Sequence, residues 1–470
     1  MIKKSKIVAT IGPVSNTKEI IEDLINSGMN VARLNFSHGT HAEHLKVIRL
    51  IRQLESKNHP TGILLDIAGP KIRIGEIEND PVYLHRGDEI TLTEQKILGN
   101  NKQVTVNLAG FSKVVQPGER ILLNDGLVEL SVIKVKAGNV VCQVESDGYI
   151  SSRKGISLPS TSTGVKLLSA KDKADIRFGV AHGVDFMAIS FVRNGEDVRE
   201  VKEYIASEGG DIPVIAKIEK PEALDNIGDI LAESDGIMIA RGDLGVEVAF
   251  EKIPIIQKKL IKMANQACKP VITATQMLAS MVENLRPTRA EVTDVANAIL
   301  DGTDAVMLSE ETAIGKNPVL AVQTMAKLAI EVEKSLNRTY DLNALTANET
   351  YTADLNVAEN ACRLAYGTKS KAIVCFTLSG STARKVCRFR PKVAVIALTP
   401  LQRTCRELSL SWGINPVRIK EVNNLLDVIS KAKEEILTAK LAERGDKFVV
   451  TCGIPFNEIG TTNLSGVFEI

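Results

Sequence analysis

Aromatic side chains are scarce: Phe, Trp and Tyr make up 4% of 470 residues, with one tryptophan. Burial therefore falls to aliphatic residues, which suits a layered α/β core. An excess of one charge sign is also missing. Lys and Arg number 58 against 57 Asp and Glu, for a net charge of +1. That balance gives no footprint for nucleic acid or for a membrane surface. No apolar run reaches the ~18 residues of a membrane span. Met1-Ile-Lys-Lys-Ser-Lys passes straight into a strand pattern, without the apolar stretch of a signal peptide. The seven cysteines are odd in number, and C-x-x-C does not occur. Both facts favour a reduced cytosolic chain over a disulfide framework. G-x-x-x-x-G-K-[ST] is missing too, so a Walker-type nucleotide site is not expected.

What is present is alternation. Strand-like runs lie near 5–11, 30–36, 62–67, 184–190, 213–218, 236–240, 270–275 and 304–309. Helical patterns lie at 18–28, 41–56, 169–183, 195–209, 221–233, 252–268, 287–301 and 318–336. Eight strands, each leading to a helix, predict a (β/α)₈ TIM barrel. The third connection is the exception. From Pro70 to Lys166 it holds short β-like runs with turn signals such as Pro117-Gly118 and Asp125-Gly126. This reads as an inserted all-β lid domain at the mouth of the barrel. A polar stretch from Tyr340 to Thr352 precedes a third unit, with strands near 372–377, 393–399, 415–419 and 447–452. The expected division is a barrel over 1–69 and 168–342, a β-barrel lid over 70–167 and a parallel α/β domain over 343–470.

The stretch from Pro213 to Glu247 organises the chemistry. Lys217 and Glu219 are two apart on an extended strand and leave the same face. A helix over roughly 221–233 leads to the next strand, which ends on Arg241-Gly242-Asp243. Ends of neighbouring parallel strands lie about 5 Å apart, so Lys217, Glu219 and Asp243 can converge. Two carboxylates suit a hard divalent cation, and an adjacent lysine suits a phosphoryl group. A salt-bridged strand end is the plain structural reading of any one of them. The other strand ends carry Arg33, Asn35, Ser37 and His38; Asp66 and Ile67, then Lys71 and Arg73; Ser190 and Arg193; Thr275; and Ser309-Glu310-Glu311. Cations among polar oxygens suggest a phosphorylated, carboxylated substrate. His38 reads as a solvated loop histidine.

Four stretches carry a resemblance: M-N-V-A-R-L-N-F-S-H-G from Met29, S-D-G-I-M-I-A-R-G-D-L-G-V-E from Ser234, I-T-A-T-Q-M-L from Ile272 and R-P-T-R-A-E-V-T-D-V-A-N-A-I-L-D-G-T-D-A-V-M-L-S from Arg286. With K-I-V-A-T-I-G-P at Lys6 and G-T-T-N at Gly460, the chain resembles the pyruvate kinase family over essentially its whole length. The resemblance implies glycolytic phosphoryl transfer from phosphoenolpyruvate to ADP, giving pyruvate and ATP. It implies Glu219 and Asp243 as ligands of Mg²⁺ or Mn²⁺. Lys217 would stabilise the phosphoryl group, and Thr275 would lie near the enolate carbon. Arg33 would contact the substrate phosphate, the Gly242–Asp243 backbone its carboxylate, and Ser190 the substrate as well. Arg73 and Lys154 match positions on the nucleotide phosphates. A cytoplasmic homotetramer is implied.

Two departures stand out. The family usually has S-G-E-T where this chain has Ser309-Glu310-Glu311-Thr312. Glutamate adopts positive φ poorly, which bears on the loop shape. Members that need K⁺ read D-T-K-G-P-E where this chain reads Asp66-Ile67-Ala68-Gly69-Pro70-Lys71. Asn35, Ser37 and Asp66 of the K⁺ site are kept, while Ile67 and Lys71 change, so the Lys71 ammonium is expected to replace K⁺. The turn Thr377-Leu-Ser379-Gly380-Ser381-Thr382 opens a helix, a geometry that binds phosphate. By resemblance it forms part of an allosteric site for a phosphorylated effector; helix capping is the simpler reading. Two other functions share parts of this pattern. A metal-dependent aldolase on the same barrel would not need the lid or Lys154. A non-catalytic homologue should have lost Lys217, Glu219, Asp243 or Thr275.

Overall fold

The computed structural model describes residues 3–470 except 56–59, 125, 160–163, 165, 337–351, 423, 457 and 459. Asp125 of one expected turn, and the polar stretch from Tyr340 up to residue 351, fall outside them. Eight parallel strands close the barrel: β1 (Lys6–Thr10), β2 (Val31–Asn35), β3 (Gly62–Ile67), β4 (Phe186–Ile189), β5 (Val214–Ile218), β6 (Gly236–Ala240), β7 (Val271–Ala274) and β8 (Ala305–Leu308). Side chains alternate across each strand. Val8, Leu64, Ile215, Met238 and Ile272 fill the inside, while Ile7, Ala9, Ile63 and Leu65 face the helices. Local chemistry starts the helices where the sequence places them. Thr40 with Glu43 and Thr288 with Glu291 form capping boxes, and Asn194 caps the helix Gly195–Ser207.

The expected single helix over 221–233 is two pieces, Pro221–Asp225 and Ile227–Glu233. Asn226 between them leaves helical geometry (φ −100°, ψ 17°), and its amide donates to the Arg193 carbonyl at 3.0 Å. β6 does not end in a loop: the helix Arg241–Glu247 begins at once. Gly236, which opens β6, admits no side chain. A Cβ there would lie 2.8 Å from the Pro270 carbonyl oxygen and 2.8 Å from Ile215 Cδ1. Gly236→Ala is therefore expected to cost about 1–3 kcal/mol by overpacking. A lower apparent Tm in a thermal melt checks this; an unchanged Tm would show that β6 and β7 part freely.

The insert follows β3. Its strands pair as a six-stranded sheet and a separate two-stranded pair, Val82–Leu84 with Gly148–Ile150. The segment from Ile72 to Gly75 bonds to both edges of the larger sheet: the Ile156 N–H donates to the Ile72 carbonyl at 2.9 Å, and the Gly75 N–H donates to the Thr105 carbonyl at 2.9 Å. The insert's own core includes Phe111, Ile121, Leu130 and Val140. Gly69, where the chain leaves β3 for the insert, has φ +66°, with its N–H donating to Asp172 Oδ1 at 3.2 Å.

The C-terminal domain has strands β9 (Ala372–Phe376), β10 (Ala394–Thr399), β11 (Ile414–Arg418), β12 (Lys447–Gly453) and β13 (Thr462–Glu469), in the order β11-β10-β9-β12-β13. The first four are parallel as expected. β13 runs antiparallel to β12 and was not foreseen. The domain sits against the N-terminal face of the barrel, where Arg390 reaches Asp304 and the Gly302 carbonyl.

Candidate active site

The site forms at the C-terminal ends of the barrel strands. β5 is flanked by β4 and β6, and β3 pairs with β4. That order gathers Asp66, Ser190, Lys217 and Glu219. The Lys217 Nζ lies 2.8 Å from Glu219 Oε1 and 3.4 Å from Asp66 Oδ1, and donates to Ser190 Oγ at 2.7 Å. Arg33 closes the group: its Nε reaches Asp66 Oδ2 at 2.7 Å and its Nη1 donates to Thr10 Oγ1 at 2.9 Å. All five of Arg33, Asp66, Ser190, Lys217 and Glu219 are buried.

Charge is conserved in this group by mutual pairing. Burial alone would pull the Lys217 ammonium down, but Asp66 and Glu219 push it well above its ordinary value. Lys217 thus stays charged and cannot act as a base near neutral pH. Burial alone would raise the Asp66 carboxyl, but Lys217 and Arg33 hold it below the usual range. Glu219 is raised by burial, with the Asp243 charge adding to the effect.

Glu219 and Asp243 line one cavity under the lid, together with Lys71, Gly155, Ser157 and Phe191. Asp243 is in the first turn of the helix Arg241–Glu247 and is partly open to solvent. Glu219 Oε1 is engaged by Lys217, and Oε2 accepts from the Phe191 N–H at 2.9 Å. The donors are hard carboxylate oxygens, which fit Mg²⁺ completed by substrate and water oxygens.

Three non-glycine residues with positive φ border this site. Phe191, just past β4, has φ +60°; Thr275 and Gln276, just past β7, have φ +66° and +54°. Positive φ is rare for bulky and β-branched residues and occurs mainly where tertiary contacts enforce it. The Thr275 hydroxyl donates to the Ala274 carbonyl at 2.7 Å and accepts from the Gly242 N–H at 2.8 Å. Arg241 fixes the same turn through Asp294 Oδ1 at 2.7 Å and the Thr275 carbonyl at 2.8 Å. Sequence reasoning missed Thr10, Phe191 and Arg241. Only Arg241 had a signal, as a cation next to Asp243; a backbone N–H aimed by unusual φ leaves none.

Other expected residues lie further out. Asn35 Oδ1 accepts from the Ser37 N–H at 3.1 Å, and Asn35 pairs with Asp66 across β2 and β3. The Ile67 side chain is buried, and its carbonyl accepts from Ser190 Oγ at 3.0 Å. Lys71 Nζ is 3.9 Å from Asp243 Oδ1, so the ammonium faces the cleft. Arg73 and Lys154 meet on facing lid segments, with the Ile74 N–H donating to the Lys154 carbonyl at 2.9 Å. Neither is among the residues lining the cavity beside Glu219. Arg73 Nη1 instead donates to the Arg153 carbonyl at 3.0 Å, and the Lys154 side chain is exposed. His38 is exposed, as expected. Glu310 is exposed and opens a short helix, Glu310–Ala313, with no positive φ. The concern for the loop shape therefore falls away, because this backbone does not need glycine.

In the C-terminal domain, Thr377, Ser379, Ser381 and Thr382 surround a cavity of about 30 Å³. Gly380 caps the helix Ser381–Arg388 at φ +80° and donates its N–H to Thr377 Oγ1 at 3.0 Å. A Cβ on Gly380 would lie 2.8 Å from Leu408 Cδ2.

Known proteins match this arrangement from end to end. Residues 2–322 match the family model "Pyruvate kinase, barrel domain", and residues 356–468 match "Pyruvate kinase, alpha/beta domain". The chain is 43% identical to the pyruvate kinase of Thermotoga maritima, covering 100% of both chains. It is 42% identical to that of Clostridium acetobutylicum, over 98% of each. The crystal structure of a pyruvate kinase from Cryptosporidium parvum superposes with a TM-score of 0.94 at 36% identity, covering 99% of this chain and 96% of that one. Likeness of this extent, spread over barrel, insert and C-terminal domain alike, means that the chain belongs to the pyruvate kinase family and is a phosphotransferase.

Proposed function

We propose that the chain transfers the phosphoryl group of phosphoenolpyruvate to ADP, giving pyruvate and ATP, and that it does so in the cleft around Lys217. The carrying observation is the buried Lys217 held by Glu219, Asp66 and Ser190. A loose phosphoryl transition state needs positioning and charge neutralisation more than covalent help. Lys217 supplies a cation whose place is set before substrate arrives. Arg33, anchored on Asp66 and Thr10, supplies a second for the substrate phosphate. Glu219 and Asp243 would hold the divalent ion, which when bound supplies Lewis-acid polarisation of the substrate oxygens. The helix N-terminus at Gly242–Asp243 favours the substrate carboxylate. The Thr275 hydroxyl sits beside it, where the enolate carbon must gain a proton. Arg73 and Lys154 on the lid would meet the nucleotide phosphates when the lid moves. The working division is a barrel over 1–69 and 168–342, a lid over 70–167 and a C-terminal domain over 343–470. The described cysteines are all free, which agrees with a cytoplasmic enzyme.

A coupled assay with lactate dehydrogenase and NADH tests the reaction. NADH should be consumed only when phosphoenolpyruvate, ADP and a divalent ion are all present. No pyruvate under those conditions would leave the aldolase or non-catalytic reading.

Potassium is not required in this reading. Phosphoenolpyruvate brings about three negative charges, and unit charges ~4 Å apart interact by about 4 kcal/mol at intermediate dielectric. Ile67 offers no side-chain oxygen to a monovalent ion, whereas the Lys71 ammonium already faces the cleft. Turnover in tetramethylammonium salt should be unaffected by KCl at constant ionic strength, and Lys71→Glu should create a K⁺ dependence. Strong K⁺ stimulation of the unmodified enzyme would remove Lys71 from this role.

The Thr377–Thr382 turn supports an effector phosphate site, with the coupling carried by a homotetramer. Addition of fructose 1,6-bisphosphate, ribose 5-phosphate, glucose 6-phosphate or AMP should shift the apparent affinity for phosphoenolpyruvate. Silence of all four would count against the turn as a regulatory site.

A further inference from the structure

A second cavity, of about 550 Å³, lies between the barrel and the C-terminal domain. It is within the ~300–1,000 Å³ range of small-molecule sites. One wall is the N-terminal face of the barrel: Pro213 just before β5, Asp235 just before β6 and Pro270 just before β7. Another is the helices Ser381–Arg388 and Gln402–Leu408 of the C-terminal domain. The catalytic cleft is at the opposite end of the same strands.

Five cationic and three acidic side chains line the cavity, a surplus of two positive charges. Local pairing shows where the surplus falls. Lys202 takes Asp235 at 2.9 Å. Arg403 takes Asp211 at 2.8 Å and Glu407 at 2.6 Å. Lys385 pairs with Asp354, outside the cavity lining, so the local surplus with Asp354 counted is one positive charge. Arg384 and Lys269 remain, with no carboxylate in ion-pair range among the described residues. Arg384 Nη2 donates to the Ser379 carbonyl at 2.8 Å, and Lys269 Nζ donates to the carbonyls of Leu231 and Ala232. Guanidinium has five donors, so most of Arg384's capacity is unspent. Burial lowers both side chains from their ordinary values, partly offset by the charges of Glu407 and Asp235 at Arg384 and of Asp235 and Glu233 at Lys269.

We infer that this interdomain cavity binds the phosphate of a small phosphomonoester between Arg384 and Lys269. A phosphomonoester carries about −1.5 to −2 charge at neutral pH and three acceptor oxygens, which suits two cations that have no ion-pair partner among the described residues. Arginine forks suit such oxygens. Phe186, Ile205, Ile212, Pro213 and Pro270 give an apolar surface for the rest of the ligand. The site is separate from the catalytic cleft and from the cavity at the Thr377–Thr382 turn, although Ser381 borders both C-terminal cavities.

Crystals of the full chain soaked in sodium tungstate, a phosphate-sized dianion, locate the site directly. Anomalous density is expected between Arg384 and Lys269. Tungstate titrations of crystals of Arg384→Gln should need about tenfold more anion for equal occupancy of that peak, since one charge-assisted hydrogen-bond donor is lost. Peaks in the catalytic cleft should not change. If Arg384→Gln does not fold, Lys269→Gln takes its place with the same expectation. A cavity empty at saturating tungstate, or occupancy equal in unmodified and variant crystals, would overturn the proposal.

Discussion

Lys217→Met is expected to lower kcat by about 10²–10³ or more while leaving the fold intact. The residue is buried among Asp66, Glu219 and Ser190, and those partners keep it protonated. Its charge is therefore present before substrate binds, and no reorganisation is needed when negative charge moves between oxygens. Methionine keeps most of the volume and removes the cation. The loss should fall on kcat rather than on the binding of a divalent ion, because Glu219 and Asp243 remain. Circular dichroism matching the unmodified enzyme, with Mn²⁺ still bound by electron paramagnetic resonance, would separate chemistry from folding. Full turnover by the purified variant would sink the assignment of Lys217.

Glu219→Gln should do comparable damage, about 10²-fold or more in kcat/KM, by a different route. Both oxygens of Glu219 accept: Oε1 from Lys217, Oε2 from the Phe191 N–H. An amide has one acceptor oxygen and one donor nitrogen. Its NH₂ must then face either the Lys217 ammonium or the Phe191 N–H, donor against donor. The divalent ion also loses a charged ligand. Mn²⁺ affinity should fall together with activity, in contrast to Lys217→Met. Retained Mn²⁺ affinity would show that Glu219 is a structural partner of Lys217 and not a metal ligand.

The contrast between these residues shows what could be read in advance. Lys217 and Glu219 were legible because strand geometry puts residues two apart on one face, and the strand itself was plain from its apolar run. Asp243 followed from the next strand. Their roles came from resemblance, since a lysine and two carboxylates also describe an ordinary ion-pair cluster. Phe191 had no such signal: its contribution is a backbone N–H, and any residue has one.

Elements whose determinants are local were settled by sequence alone. The eight strand–helix units are set by side-chain period and by caps such as Thr40 with Glu43, all within a few residues of each other. The polar ends of the strands belong to the same category. Only the tertiary structure decided matters that depend on distant partners. Asn226 breaks its helix because the Arg193 carbonyl, 33 residues away, takes its amide. β13 runs antiparallel because β12 offers it an open edge. Arg33, Asp66 and Lys217 meet only when the barrel closes, and Arg384 faces Pro213, Asp235 and Pro270 across a cavity only because the C-terminal domain packs on the barrel. Hydrophobic periodicity is a short-range signal; charge balance in a cavity depends on which surfaces meet.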